Sequence, residues 1–268
     1  MTIATLTPID LAMAAGLVVL LAGLSLRLAL GIERRLLVAA LRSIVQLSLL
    51  GLVLKVLFAN ASLLWVTLMA CIMLLIAGRE VMVRQERRFR GWWGYAVGTF
   101  SMFVSSFVVT IFALTVILGD DPWYTPQYAI PLLGMLLGNT MNGISIAMDR
   151  LTGTAWEQAK IIEARLMLGE RADEAIADIR RQAIRSGMIP IINAMAAAGV
   201  ISLPGMMTGQ ILAGAPPLDA VKYQILIMFL IAAGTGFGTL AAVAVGSRHL
   251  FDARQRLCLD RLRQQGQR

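Results

Sequence analysis

The chain has 268 residues, 58% of them hydrophobic and 15% charged, with a mean hydropathy of +0.74. A soluble domain with a solvated surface does not carry that balance, so the composition points to lipid and away from an ordinary globular enzyme. The net charge of +8 would suit nucleic acid, but the basic residues sit beside apolar runs, where the positive-inside bias puts them, and no nucleic-acid partner is expected.

Crossing the ~30 Å hydrocarbon layer takes about 20 apolar residues. The first such run, residues 8–30, has no basic residue before it and no small-residue cleavage pattern, and reads as a retained span. Arg27, Glu33, Arg34 and Arg35 follow, placing that end in the cytoplasm and the N-terminus outside. The second run, 36–58, carries Arg42 and Gln46 one helical turn apart and ends in the uncharged turn Ala59, Asn60, Ala61, Ser62. The third, 63–77, is short and empties into Arg79, Arg84, Arg87, Arg88 and Arg90. The fourth, 95–118, starts beside Trp92 and Trp93, suited to headgroup level, and exits into the acidic, aromatic loop Asp120, Asp121, Trp123, Tyr124. The fifth, 128–148, ends at Asp149 and Arg150. A polar stretch, 150–187, follows with charges at helical spacing and reads as a cytoplasmic helical element. The sixth run, 188–206, leads to an external loop, 209–219, and the seventh, 220–246, to a basic tail from Arg248 to Arg268. Of the 24 Lys and Arg residues only Lys55 and Lys222 then lie near the outside. The expectation is an all-α integral membrane protein of about seven transmembrane helices, N-terminus outside and C-terminus cytoplasmic. Residues 1–247 form the membrane domain, including the element 150–187, and 248–268 the tail.

Nucleotide hydrolysis by this chain is excluded by elimination. A Walker A loop needs Gly-Lys before Ser or Thr, whereas Lys55, Lys160 and Lys222 follow Leu54, Ala159 and Val221. The single histidine, His249, lies past the last span, and neither a zinc-protease motif nor a serine elbow occurs. Cys71 and Cys258 are not at metal-ligand spacing. The chain is therefore not expected to be an enzyme or to bind a cofactor. Gly234, Gly236 and Gly238 lie inside an apolar span, where close helix packing is their meaning.

Polar groups inside spans point to function, because burying them in hydrocarbon is expensive. Met135, Asn139 and Asn142 share one helical face, and Asn193 lies in the sixth span. With Arg42 and Gln46 they form a candidate substrate path; helix contact through amides and small residues is the other reading. An arginine in such a path repels a bare cation and favours an anionic or complexed substrate. Pro204, Gly205, Met206, Met207 and Gln210 form a breaker set near the outer end, readable as a gate or as a plain helix exit. Within the cytoplasmic element, Glu163-Ala164-Arg165 followed by Gly169 approximates the Glu-Ala-Ala-x-x-x-Gly docking loop of bacterial ABC permeases, with Arg165 in place of the second alanine.

Three blocks go further: Gly138-Asn139-Thr140-Met141-Asn142-Gly143-Ile144-Ser145, Ile189-Pro190-x-Ile-Asn193, and the run from Gly199 through Ser202-Leu203-Pro204-Gly205-Met206-Met207-Thr208-Gly209-Gln210 to Ile225. They resemble the FetB-type permease family, the membrane subunits of FetAB iron exporters, with plant relatives in aluminium tolerance. The resemblance implies a homodimer or symmetric assembly in a bacterial cytoplasmic (inner) membrane. It would dock on a separate ABC ATPase subunit that holds ATP and Mg, and export a metal, iron first. It carries the docking role onto Glu163 through Gly169 and onward to Arg180, Arg181 and Arg185. The related plant system is linked to UDP-glucose, so a nucleotide sugar or other anion stays open as substrate. An ATP-independent carrier is disfavoured by the scarcity of carboxylates inside the spans, and a membrane anchor without transport is the third class.

Overall fold

The computed structural model describes residues 7–59, 62–119 and 121–264. Asn60, Ala61, Asp120 and Arg268, named above in loops and tail, lie outside the described residues. The chain divides into two compact units, Met1–Ser62 and Leu63–Arg268.

The first unit is a helical hairpin of α1 (Pro8–Arg27) and α2 (Glu33–Ala59). Thr7 caps α1: its hydroxyl accepts from Asp10 N at 3.4 Å, while the Asp10 carboxylate takes the Thr7 N–H at 2.8 Å, and Pro8 occupies the first turn, where a missing N–H costs nothing. The buried Ser25 hydroxyl donates to Glu33 Oε2 at 3.1 Å and ties α1 to the start of α2.

The second unit holds α3 (Leu63–Arg84), β1 (Arg87–Phe89) and a long helix built of α4 (Trp92–Met102), a π-helical turn Phe103–Phe107, α5 (Val108–Phe112) and a second π-helical segment Ala113–Leu118. Both π segments adjoin hydroxyls that bond back four residues: Ser105 to Ser101 O at 2.8 Å, Thr110 to Ser106 O at 2.6 Å, Thr115 to Ile111 O at 2.7 Å. Such back-bonding competes for helix carbonyls and lets the ladder widen. Then come α6 (Pro126–Glu157), α7 (Ala159–Met167), α8 (Ala172–Ala175), α9 (Ala177–Ala197), α10 (Gly205–Leu212), α11 (Pro217–His249) and β2 (Leu262–Gln264), which pairs antiparallel with β1.

The centre is α6, packed on α3, α9 and α11. Its 32 residues reach about 48 Å, and Leu136, Ile144, Ala147 and Leu151 are sealed in the core. Close approach depends on missing side chains. A Cβ on Gly187 would lie 2.6 Å from the Gly143 carbonyl oxygen, and one on Gly143 would lie 2.6 Å from Thr235 Cγ2. These contacts bring α6, α9 and α11 together at one level.

Six helices among the described residues are long and apolar enough to cross a membrane: α1, α2, α3, the Trp92–Leu118 helix, α6 and α11. The expected sixth span, 188–206, does not form as one helix. Its place is taken by α9, which starts eleven residues earlier and stops at Ala197. Arg180, Arg181 and Arg185 in its first half leave it outside the apolar set. Yet α9 runs antiparallel along α11, sharing one cavity with Ser247 and Arg248 and another with Gln224 and Met228. The stop has a local cause. Gly199 adopts φ +81°, a left-handed conformation open to glycine, and its N–H turns to Ser202 O at 2.9 Å while Ser202 N closes on Ala197 O at 3.1 Å. Pro204 then caps α10 in an extended conformation.

The polar element 150–187 is likewise redistributed. Residues 150–157 continue α6 and 177–187 begin α9, leaving a hairpin of α7 and α8 between them. Much of the described tail folds back onto the second unit, with Leu250, Phe251 and Leu262 buried in its core.

Candidate functional site

At the end of the second unit where α11 begins, the helix break opens a cavity of about 560 Å³. Three thioethers line it, Met195 from α9, Met207 from α10 and Met228 from α11, together with Pro204, Leu203 and Phe229. Its polar side chain is Gln224, only 8% exposed, whose Oε1 is sealed and has no hydrogen-bond partner. A smaller crevice beside it joins Met135 of α6 to Met206 of α10, between Tyr128 and Tyr223. The breaker set thus divides: Pro204 and Met207 wall the larger cavity, Met206 the smaller, Gly205 opens α10 on the surface, and Gln210 has a buried oxygen without a partner. Apolar walls, three polarizable thioethers and the single amide of Gln224 are the chemistry this cavity offers a ligand.

The amides read as a path are not drawn into that cavity. Asn139 and Asn193 are exposed on α6 and α9, and Asn142 is half-buried. Asn139 Nδ2 donates to Met135 O at 2.8 Å, one turn back on its own helix. Arg42 and Gln46 lie exposed on α2 of the first unit. Sequence reasoning missed Gln224 and a buried seam of hydroxyls, Ser105, Ser106, Thr110, Thr140, Thr235 and Thr239, between the π-helical turn, α6 and α11. Ser106 reaches Thr140 Oγ1 at 3.5 Å, while Thr235 and Thr239 hydroxyls have no partner. The signal was legible: hydroxyls four apart at 106 and 110 and at 235 and 239 each mark one helical face.

The α7–α8 hairpin is held by Arg165. Its guanidinium meets Glu170 at 2.8 Å, the Ala175 carbonyl at 3.1 Å and Asp178 at 3.5 Å, across the turn that Gly169 makes at φ +94°. Glu163 and Ala164 are exposed on α7. Met167 and Leu168 at the tip are 82% and 85% exposed. Arg180, Arg181 and Arg185 belong to α9, where Arg181 pairs with Asp178 and Arg185 is exposed. Beyond α11, Asp252 accepts from Arg254 N at 2.9 Å and from Arg256 N and Nε at 2.8 Å. The Arg256 N–H first, then its guanidinium, hold the Asp252 carboxyl below the usual range against partial desolvation. Among the described residues, no group of three or more His, Cys, Asp or Glu side chains could hold a metal ion.

A predominantly helical chain with six helices long and apolar enough to cross a membrane among its described residues is a polytopic membrane protein. The chain belongs to the uncharacterised protein family UPF0014, which matches residues 8–251. It is 41% identical to the UPF0014 membrane protein slr1647 of Synechocystis over 232 residues, covering 85% of this chain and 87% of that one. It is 29% identical to the probable iron export permease protein FetB of Escherichia coli over 259 residues, 95% of this chain and 96% of the relative. It is also 34% identical to the protein ALUMINUM SENSITIVE 3 of Arabidopsis thaliana over 217 residues, 80% and 77% of the two chains. The family resemblance drawn from the three sequence blocks is therefore established. No solved structure matches the chain.

Proposed function

We propose that the chain is the membrane-spanning subunit of an ABC transporter in a bacterial inner membrane, driven by a separate ATPase and exporting a metal, with iron as first choice. The observation that carries this reading is the alignment with the E. coli permease along nearly the whole of both chains. Three features of the molecule support it. The hairpin presents Glu163 beside Met167 and Leu168, apolar side chains at the tip of a charged element, and each offers roughly 1.5–3 kcal/mol on burial by a partner. The antiparallel course of α9 along α11 suits it, since on this reading α9 serves as the seventh crossing that an outside N-terminus and a cytoplasmic tail require. The exposed amides of Asn139 and Asn193 are costly against lipid and inexpensive against a second copy of the chain.

In this mechanism nucleotide closure of the ATPase pair pushes the hairpin. The push travels along α9 to the methionine cavity at its far end, and along α6 to the smaller crevice at Met135, the hairpin being strung between the two helices. Energy comes from the partner; this chain supplies the lever and the path.

The test is ATPase activity of the purified chain with its ATPase partner in proteoliposomes, with ferrous iron and other metals added singly, in wild type and Glu163→Ala. Metal-stimulated turnover, lost in a Glu163→Ala protein that is still folded, supports coupling. Absence of any complex with an ATPase, or iron flux without ATP, would overturn it in favour of an anchor or a carrier.

A further inference from the structure

At the other end of α11, about 30 Å from the methionine cavity along the helix, the hairpin, the start of α9 and the tail enclose a second cavity of about 400 Å³. Three arginines from three elements line it: Arg171 before α8, Arg180 in the first turn of α9 and Arg248 near the end of α11. Two carboxylates share the lining, but both are engaged. Asp252 is bound by the Arg254 and Arg256 amides and by the Arg256 guanidinium at 2.7 Å, and Asp173 lies 3.7 Å from Arg171. Among the described residues neither Arg180 nor Arg248 forms an ion pair. Arg180 is moreover half-buried, so its charge is not simply given to bulk water.

The backbone reinforces the sign of the field. The closing carbonyls of α11 would otherwise present partial negative charge here. That charge is offset at the terminus: Arg261 Nη1 donates to the last α11 carbonyl, His249 O, at 2.8 Å and to Phe251 O at 3.1 Å, and Cys258 N donates to Leu250 O at 2.8 Å. The start of α9 adds its positive end beside Arg180. The walls are held without a ligand, since Gln255 Oε1 accepts the Ala172 N–H at 2.9 Å and fastens the tail turn to α8.

We propose that this cavity binds a phosphate-bearing anion, with Arg180 and Arg248 as its principal ligands and Arg171 at the rim. Guanidinium forks arriving from three directions match the several acceptor faces of a tetrahedral phosphate better than one planar carboxylate. The volume leaves room for a group attached to that phosphate. A phospholipid headgroup and a soluble phosphate ester share this chemistry. Either would bridge the hairpin bearing Glu163 to the end of α11. The site stands independently of the transport reading, because it needs only the folded chain.

The experiment uses the full chain in phosphatidylcholine nanodiscs. One arm titrates pyrophosphate by calorimetry; the other introduces cardiolipin and counts retained lipid by native mass spectrometry. Wild type should bind at least one probe, and Arg180→Gln and Arg248→Gln should each weaken that binding about tenfold. Arg150→Gln, a change outside the cavity, should leave it as in wild type. Pyrophosphate binding with this pattern identifies a soluble ester site, and cardiolipin retention with this pattern a headgroup site. Should Arg180→Gln fail to fold, the exposed Arg248 carries the comparison alone. Binding of neither probe by folded wild type, or equal affinity in the cavity variants and Arg150→Gln, overturns the proposal.

Discussion

Gln224 sits among apolar walls with its amide oxygen sealed and unpartnered, an arrangement that costs about 1–3 kcal/mol unless something else meets the amide. Gln224→Leu should therefore raise resistance to unfolding by about 1 kcal/mol in detergent and at the same time lower transport in proteoliposomes. A stability gain with undiminished transport would make the amide a bystander. Glycines give a sharper contrast. On Gly187 a Cβ would face the Gly143 carbonyl and Ala147 Cβ at 2.6 and 2.9 Å, backbone and core that cannot yield, whereas on Gly153 it would meet nothing within 4 Å. Gly187→Ala should cost about 1–3 kcal/mol, and Gly153→Ala should be neutral or stabilising by about 0.5–1 kcal/mol, read from paired unfolding curves. Residues of this kind were partly legible. Amides and methionines stand out in an apolar span, but which of them face inward depends on helix rotation, so Asn139 and Asn193 attracted notice while Gln224 did not.

The hairpin between α6 and α9 joins exposed apolar tips to a rigid Arg165 hub. If the tip docks on an ATPase, Met167→Asp with Leu168→Asp should abolish co-purification of that subunit while the permease keeps its thermal stability, because neither side chain packs within this chain. The tail turn makes a prediction in pH. A carboxyl whose folded pKa is lowered contributes stability that is present above its unfolded value, about 3.9, and lost as pH falls through the lowered one. Protection of the Arg254 and Arg256 amides from hydrogen exchange, taken against the intrinsic rate at each pH, should thus hold down to about pH 4 and be lost only below it. In Asp252→Asn those amides should exchange faster at neutral pH too. Elements were read well from apolar length and poorly at their ends. Charge at 150–157 and 177–187 suggested a separate cytoplasmic piece, yet helices propagate through charged residues as readily as apolar ones, and α6 and α9 simply run on.

For the molecule as a whole, polar amides exposed on a surface otherwise suited to lipid predict a second copy. Single cysteines at Asn139 or Asn193, in a background lacking Cys71 and Cys258, should give oxidative dimers in native vesicles, whereas Leu68→Cys, on exposed α3, should not. Monomers throughout would return those amides to a lipid-facing or intramolecular role. Membrane residence, helical character and family were fixed by the amino-acid order alone. Hydrocarbon demands long apolar runs with internally satisfied backbones, and that demand is written directly in composition and spacing. The tertiary structure alone decided where α9 begins and ends, that Met195, Met207, Met228 and Gln224 share a cavity, and that Arg171, Arg180 and Arg248 meet at one mouth. Those juxtapositions join residues far apart in the chain and rest on helix rotation and on glycine-permitted approach, which no local pattern encodes.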